Sequence, residues 1–218
     1  EAGELKLDVK RAQLARDPIW LPAVENRGEG VFLGFNSQAI DAWKARPDVQ
    51  ARGRELDAGF RAWLAHRNLD PSTPWPGLPY VMLHSLSHLL ITSVSLSCGY
   101  SASALRERVY AGSSGYGILI LTGGSGAEGT LGGLVDVGRR IEEHLLQAIE
   151  YGRLCSNDPV CSHHSPQSEL EQRYLQGAAC HGCLLMSETS CERRNDHLDR
   201  ALVVPTLSTP GVAFLGGT

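Results

Sequence analysis

The chain has 218 residues, 42% apolar and 20% charged, with a formal net charge of -4. That length and composition support a buried core and exclude disordered, fibrous and small disulfide-scaffold classes. The acidic balance, which four zinc-bound thiolates would deepen by about two units, excludes a broadly basic nucleic-acid binder and confines any DNA contact to a local patch.

Glu1 to Arg11 has no apolar run leading to a small-residue cleavage site, so no secretory signal is read there. The first residue is Glu, so the sequence is expected to be a piece of a longer chain or a processed one. Glu4 to Ala15 is charged and mixed and is assigned no element. Gly28 to Phe35 reads as a short strand entered from a glycine turn. Ser37 can cap a helix starting at Gln38, and Pro47 interrupts it or opens a new one. Val49, Leu56, Phe60, Trp63 and Leu64 then share one helical face, with Arg52, Arg54, Glu55 and Arg61 elsewhere, giving an amphipathic surface helix that ends near Arg67. Pro71, Pro74, Pro76 and Pro79 stiffen the next stretch into a connector. It divides an N-terminal strand and helix segment, 1–78, from a domain over 79–204, with a turn-rich tail at 205–218.

Tyr80 to Leu96 is apolar on most faces and reads as the central buried helix. The wider stretch Leu78 to Cys98 is long enough to suggest a membrane span, but its two His and five Ser favour a helix buried in protein. Tyr100 to Tyr110 reads as a short helix or turn leading into a strand, and Gly112 to Gly115 turns the chain. Gly117 to Thr122 is a continuous apolar strand expected to be buried on both faces. A glycine-rich loop, Gly123 to Gly133, precedes a second long helix over Leu134 to Leu154, and Ala201 to Val204 is expected as a last strand. The fold class is mixed α/β: long buried helices packed on a small sheet, with a C-terminal Cys-rich zinc-binding knot.

Five of the six cysteines fall between Cys155 and Cys191. Cys180-His-Gly-Cys183 is the tight half of a zinc knuckle, since two thiolates separated by two residues reach one ion from a single turn. Cys191, with one or both of Cys155 and Cys161, would complete a tetrahedron holding one structural Zn2+. Five cysteines for four places leave one spare, or admit a histidine from among His163, His164 and His181. An iron-sulfur cluster uses the same ligands and is the main rival. The deaminase signature fails, with no upstream His-x-Glu and Ala179 in the place of its proline.

The loop sequence Gly124-Ser-Gly126-Ala-Glu-Gly129 matches a dinucleotide fingerprint, but the helix after it runs into cysteines in place of a second parallel strand. No P-loop occurs. His84 and His88 have the spacing of a zincin pair, yet Ser85 stands where the general base belongs, and such residues are more often hydrogen-bonded core histidines. The enzyme alternative is a nucleotide-binding or hydrolytic site built from the Gly123–Gly133 loop with His84 and His88. A third alternative is a purely structural, zinc-stapled interaction module. Basic pairs at Arg139-Arg140 and Arg193-Arg194, with Arg200 near the second, are the candidate phosphate contacts. No catalytic constellation emerges.

His84-Ser-Leu-Ser-His-Leu-Leu-Ile91, the Gly117–Thr122 strand and the Gly129-Thr-Leu-Gly-Gly-Leu-Val135 loop are followed by Cys155 to Cys161. Gly177-Ala-Ala-Cys-His-Gly-Cys183, Glu188-Thr-Ser-Cys191 and Asn195-x2-Leu198-Asp199 come next. In this order they resemble the MrfA-type zinc-binding (MZB) family, first catalogued as a domain of unknown function, from about Pro79 to Val204. Gly28 to Phe35 and the Cys-Ser-x-Asp-Pro-x-Cys wording resemble its DrmB-like branch, the accessory subunit of DISARM anti-phage systems. The resemblance implies a cytoplasmic zinc module working with a superfamily-2 DNA helicase, in trans or fused to it, in phage defence or DNA repair. By position, Cys180, Cys183 and Cys191 match the family's cysteine run, Cys155 matches by following the helix, and Cys161 is an additional candidate.

Overall fold

The computed structural model describes residues 28–122 and 133–215, together with 15–17, 19–20 and 23. Its elements run β1 (Gly30–Phe35), α1 (Ser37–Lys44), α2 (Pro47–His66), α3 (Leu78–Cys98), β2 (Leu105–Gly112), β3 (Gly115–Thr122), α4 (Gly133–Arg139) and α5 (Ile141–Arg153). Short 3-10 helices occur at Ala102–Ala104 and Arg200–Leu202, and the rest of the C-terminal region is turns.

Local chemistry sets most of the boundaries. Asn36, one residue before the expected cap, accepts the Ala39 N–H at 3.1 Å and starts α1. Pro47 opens α2, where its missing N–H has no helical partner to lose. Gly99 ends α3 in the left-handed conformation at φ 71°, which a residue without Cβ adopts freely. The expected single helix over Leu134 to Leu154 is instead two. It breaks at Arg140, two residues after Gly138, whose backbone lies so close to Val31 that an added Cβ would be 3.3 Å from its Cγ2.

The sheet is antiparallel with order β1-β3-β2, and α3 packs across one face. Period-2 alternation decides what that face carries. In β3, Ile118 and Ile120 are buried whereas Leu119 and Leu121 are half-buried, so the expectation of burial on both faces is corrected: among the described residues, helices cover one side only. In β2, Leu105, Glu107 and Val109 point inward, and the alternate residues Arg106, Arg108 and Tyr110 are exposed. A carboxylate thus lies in phase with the apolar set. β1, from upstream of the proline connector, pairs with β3 from Gly30↔Leu121 to Phe35↔Tyr116, so elements on both sides of Asp70–Pro79 share this sheet and one core. α3 is long and apolar enough to cross a membrane by length and composition, and most of it is buried inside the molecule.

The C-terminal region departs further from expectation. Ala201 to Val204 does not form a strand: Asp199 accepts the Ala201 N–H at 3.1 Å and caps a 3-10 turn, leaving Leu202, Val203 and Val204 fully buried. The tail then returns, with Phe214 N–H donating to Leu202 O at 2.8 Å and the Trp43 indole N–H to Val212 O at 2.8 Å. Arg52, expected on the solvent side of α2, is buried and donates to Asp199 at 2.8 Å. Asp199 also accepts the Ala178 N–H at 2.9 Å. This ion pair ties α2 to the cysteine-rich region. Replacing Arg52 with Ala strands a buried carboxylate, and we expect a loss of about 3–5 kcal/mol of stability in urea unfolding.

Candidate metal centres

Leu154 leaves α5 in an extended conformation and delivers Cys155 just beyond the helix end. Two turn hydrogen bonds, Asp158 N–H to Cys155 O at 3.1 Å and Cys161 N–H to Asn157 O at 2.9 Å, fold the chain back toward Cys161. On the facing turn, Cys183 and Leu184 N–H groups both donate to Cys180 O, at 3.1 and 3.0 Å. Gly182 completes the knuckle: its N–H donates to Cys180 Sγ at 3.3 Å, and a Cβ there would lie 2.6 Å from Ser156 Oγ. Asn157 Nδ2 donates to the same sulfur at 3.3 Å.

Cys155, Cys161, Cys180 and Cys183 therefore converge, with all four sulfurs within 4.8 Å of one another. The Cys155–Cys180, Cys161–Cys183 and Cys180–Cys183 separations are 3.5, 3.8 and 3.7 Å. A tetrahedron of thiolates about 2.3 Å from zinc has edges of about 3.8 Å, which these three edges match. All six cysteines are free of disulfides.

The electrostatics point the same way. Hydrogen bonding with Cys161 and the nearby Arg200 charge bring the Cys183 thiol down to about 5. Burial pushes Cys155 up to about 11, and the Cys183 contact drives Cys161 upward. Four thiols this close cannot all ionise on their own; a divalent cation lets them. Arg200, expected near the second basic pair as a phosphate contact, is instead fully buried. It grips both oxygens of Asp158 at 2.5 and 2.6 Å and donates to Gly152 O at 2.9 Å, so it braces the turn between Cys155 and Cys161.

The remaining candidates lie elsewhere. The structure groups Cys191 with His84, His88 and Glu107 and not with the other four cysteines. None of the three histidines considered from the sequence joins the sulfur cluster: His163 bonds Pro159 O, His164 bonds Glu171 and Arg173 O, and His181 is exposed. Glu107 escaped the sequence reading, although an acid in phase with Leu105 and Val109 on a strand was the available signal. Of the basic residues, Arg139 is exposed, and Arg140 is paired with Asp136 at 2.8 Å and Glu143 at 3.6 Å. Arg193 lies over the Tyr80 ring, 5.6 Å from its centroid, and Arg194 is exposed. The glycine-rich loop falls on 123–132, outside the described residues.

A mixed α/β core whose C-terminal turns carry a closed four-thiolate site defines a zinc-binding domain. Residues 86–184, just under half of the chain, match the model of the MrfA Zn-binding domain. The chain is also similar to the DISARM protein DrmB of Bacillus paralicheniformis, 37% identical over 201 residues covering 91% of this chain. It spans 35% of that relative's length.

Replacing Cys180 and Cys183 together with Ser is expected to abolish zinc at this centre, read by elemental analysis, and to make the turns from Cys155 to Cys183 sensitive to protease. Thiolate ligands must be deprotonated, so acidification releases metal whereas neutral and alkaline pH retain it. A chromogenic chelator titrated across pH checks the direction.

Proposed function

We propose that the chain is a non-catalytic accessory domain that acts in the cytoplasm with a superfamily-2 DNA helicase, in phage defence or DNA repair, by docking to the helicase and helping to guide DNA. The observation that carries this reading is the relation to the DISARM protein DrmB over nearly the whole chain. The closed sulfur site supports it, because four protein ligands leave no open position for a substrate. Zinc here holds a surface in shape. His84 and His88 are buried, 0% and 1% exposed, which weakens the enzymatic alternative.

DNA guidance rests on the exposed Arg194, with Arg193 next to it in the chain, and separately on the exposed Arg139, on an acidic chain. Local phosphate contact would then be weak alone and gain from the helicase. Two measurements test this. The chain is expected to co-elute with the helicase in gel filtration, and the complex to bind DNA with an affinity that falls as salt rises. Arg193→Ala with Arg194→Ala is expected to weaken DNA binding several-fold and flatten the salt slope while leaving zinc content and co-elution intact. Failure to co-elute removes the docking role, and an unchanged DNA affinity in the variant removes the assigned contacts.

A further inference from the structure

A second convergence of ligating atoms lies in the core, apart from the sulfur cluster. His84, His88, Glu107 and Cys191 each direct one donor atom to a common point, all within 4.8 Å of one another. None is more than 7% exposed. We propose that these four residues form a second metal site, a closed centre of two imidazoles, one carboxylate and one thiolate for a zinc-class divalent cation, sharing no ligand with the four-thiolate centre.

Each ligand is oriented by its surroundings as a metal donor needs to be. His84 and His88 occupy successive turns of one face of α3, with ring centroids 4.7 Å apart and planes at 88°. The Nδ1 of each faces a backbone carbonyl, His197 O at 3.2 Å and Leu184 O at 2.8 Å. An Nδ1–H donating to a carbonyl leaves the lone pair on Nε2, aimed into the site, and such a partner is the usual companion of a metal-bound imidazole. Glu107 offers Oε1, 2.7 Å from His84 Nε2 and 3.3 Å from His88 Nε2. Its other oxygen is held by the Ser87 hydroxyl. Cys191 Sγ lies 3.2 Å from His84 Nε2 and accepts the N–H groups of Arg193 at 3.3 Å and Asn195 at 3.1 Å. Cys180 in the sulfur cluster accepts a backbone N–H in the same way.

The donor set selects the cation. Two imidazoles, a thiolate and one carboxylate oxygen suit zinc and its neighbours and reject magnesium or calcium, which require mainly oxygen. Edges between nitrogen, oxygen and sulfur ligands of tetrahedral zinc run to about 3.3–3.6 Å. The 3.2 and 3.3 Å separations approach this, and the 2.7 Å edge opens by about half an ångström on binding. Charge balance agrees: a divalent ion neutralises the Glu107 carboxylate and Cys191 thiolate with both histidines neutral, so no net charge is buried. Without metal, keeping both Glu107 and Cys191 ionised requires two buried imidazolium rings in a double ion pair, which is costly to desolvate. The two centres meet mechanically at Leu184, which follows Cys183 and orients His88 through its carbonyl.

Elemental analysis and zinc-edge X-ray absorption on the intact protein test the proposal. Glu107→Gln combined with Cys191→Ser is expected to lose one zinc per chain, as is Cys180→Ser combined with Cys183→Ser, each keeping the other ion. The wild-type spectrum is expected to show a nitrogen and oxygen shell with imidazole scattering beside the sulfur shell. Unchanged zinc content in the Glu107 and Cys191 variant, or a sulfur-only shell in the wild type, overturns the site. If the variant loses all its metal by unfolding, the wild-type spectrum decides: imidazole scattering supports the site and its absence refutes it.

Discussion

Four sulfur atoms drawn within 4.8 Å of one another impose a constraint that the C-terminal half of the molecule must satisfy. As thiols they are weak hydrogen-bonding groups crowded together; as thiolates they repel one another in a poorly solvated place. A tetrahedral cation resolves both, and the folding free energy of the region becomes the free energy of binding it. The constraint bears on much chain because from Cys155 to Leu215 there is almost no regular secondary structure among the described residues. Turns alone cannot hold a surface in place. The sulfur cluster fixes both arms of that region to one point.

Two buried ion pairs surround this point. Arg200 with Asp158 secures the turn between Cys155 and Cys161, and Arg52 with Asp199 secures the segment after Cys191 to α2. Each arginine is placed by long-range packing and contributes more to geometry than to net stability, since charge-pair attraction is set against desolvation. Gly152 and Gly177 show how tight the assembly is. A Cβ on the first would meet Leu89 at 2.8 Å, and one on the second would meet the Asp199 carboxylate at 2.4 Å.

The helix α3 links these features to the sheet. It is buried around most of its circumference, which its near-continuous apolar sequence requires, and its serines satisfy their hydroxyls locally: Ser85 donates to Val81 O at 2.7 Å and accepts the Asp199 N–H at 2.8 Å. The buried polar side chains along this helix are therefore paired, in keeping with the cost of leaving them bare. Their grouping along one line, from Ser85 through His84 and His88 to Glu107, puts the chemistry of the core at the junction of helix, strand β2 and cysteine-rich turns.

Much of this was legible in the residues. Apolar periodicity located α2, near-continuous apolar runs located α3 and β3, and the Cys-x2-Cys spacing located the knuckle, because each depends on neighbours close in sequence. Four of the five clustered cysteines form one site, but spacing does not say which, since a tetrahedron is closed by chain that returns from far away. Cys191 is eight residues from Cys183 in the chain yet lies with His84, more than a hundred residues upstream. Arg52 and Arg200 were read as surface charge because a buried arginine differs from an exposed one only in its partner. The sequence by itself determined α2, α3, the central strand, the knuckle and the family resemblance. Tertiary structure decided the ligand set, the burial of Glu107, the conversion of a supposed last strand into a capped turn and the pairing of the buried arginines, because all of these depend on contacts between elements that no local pattern encodes.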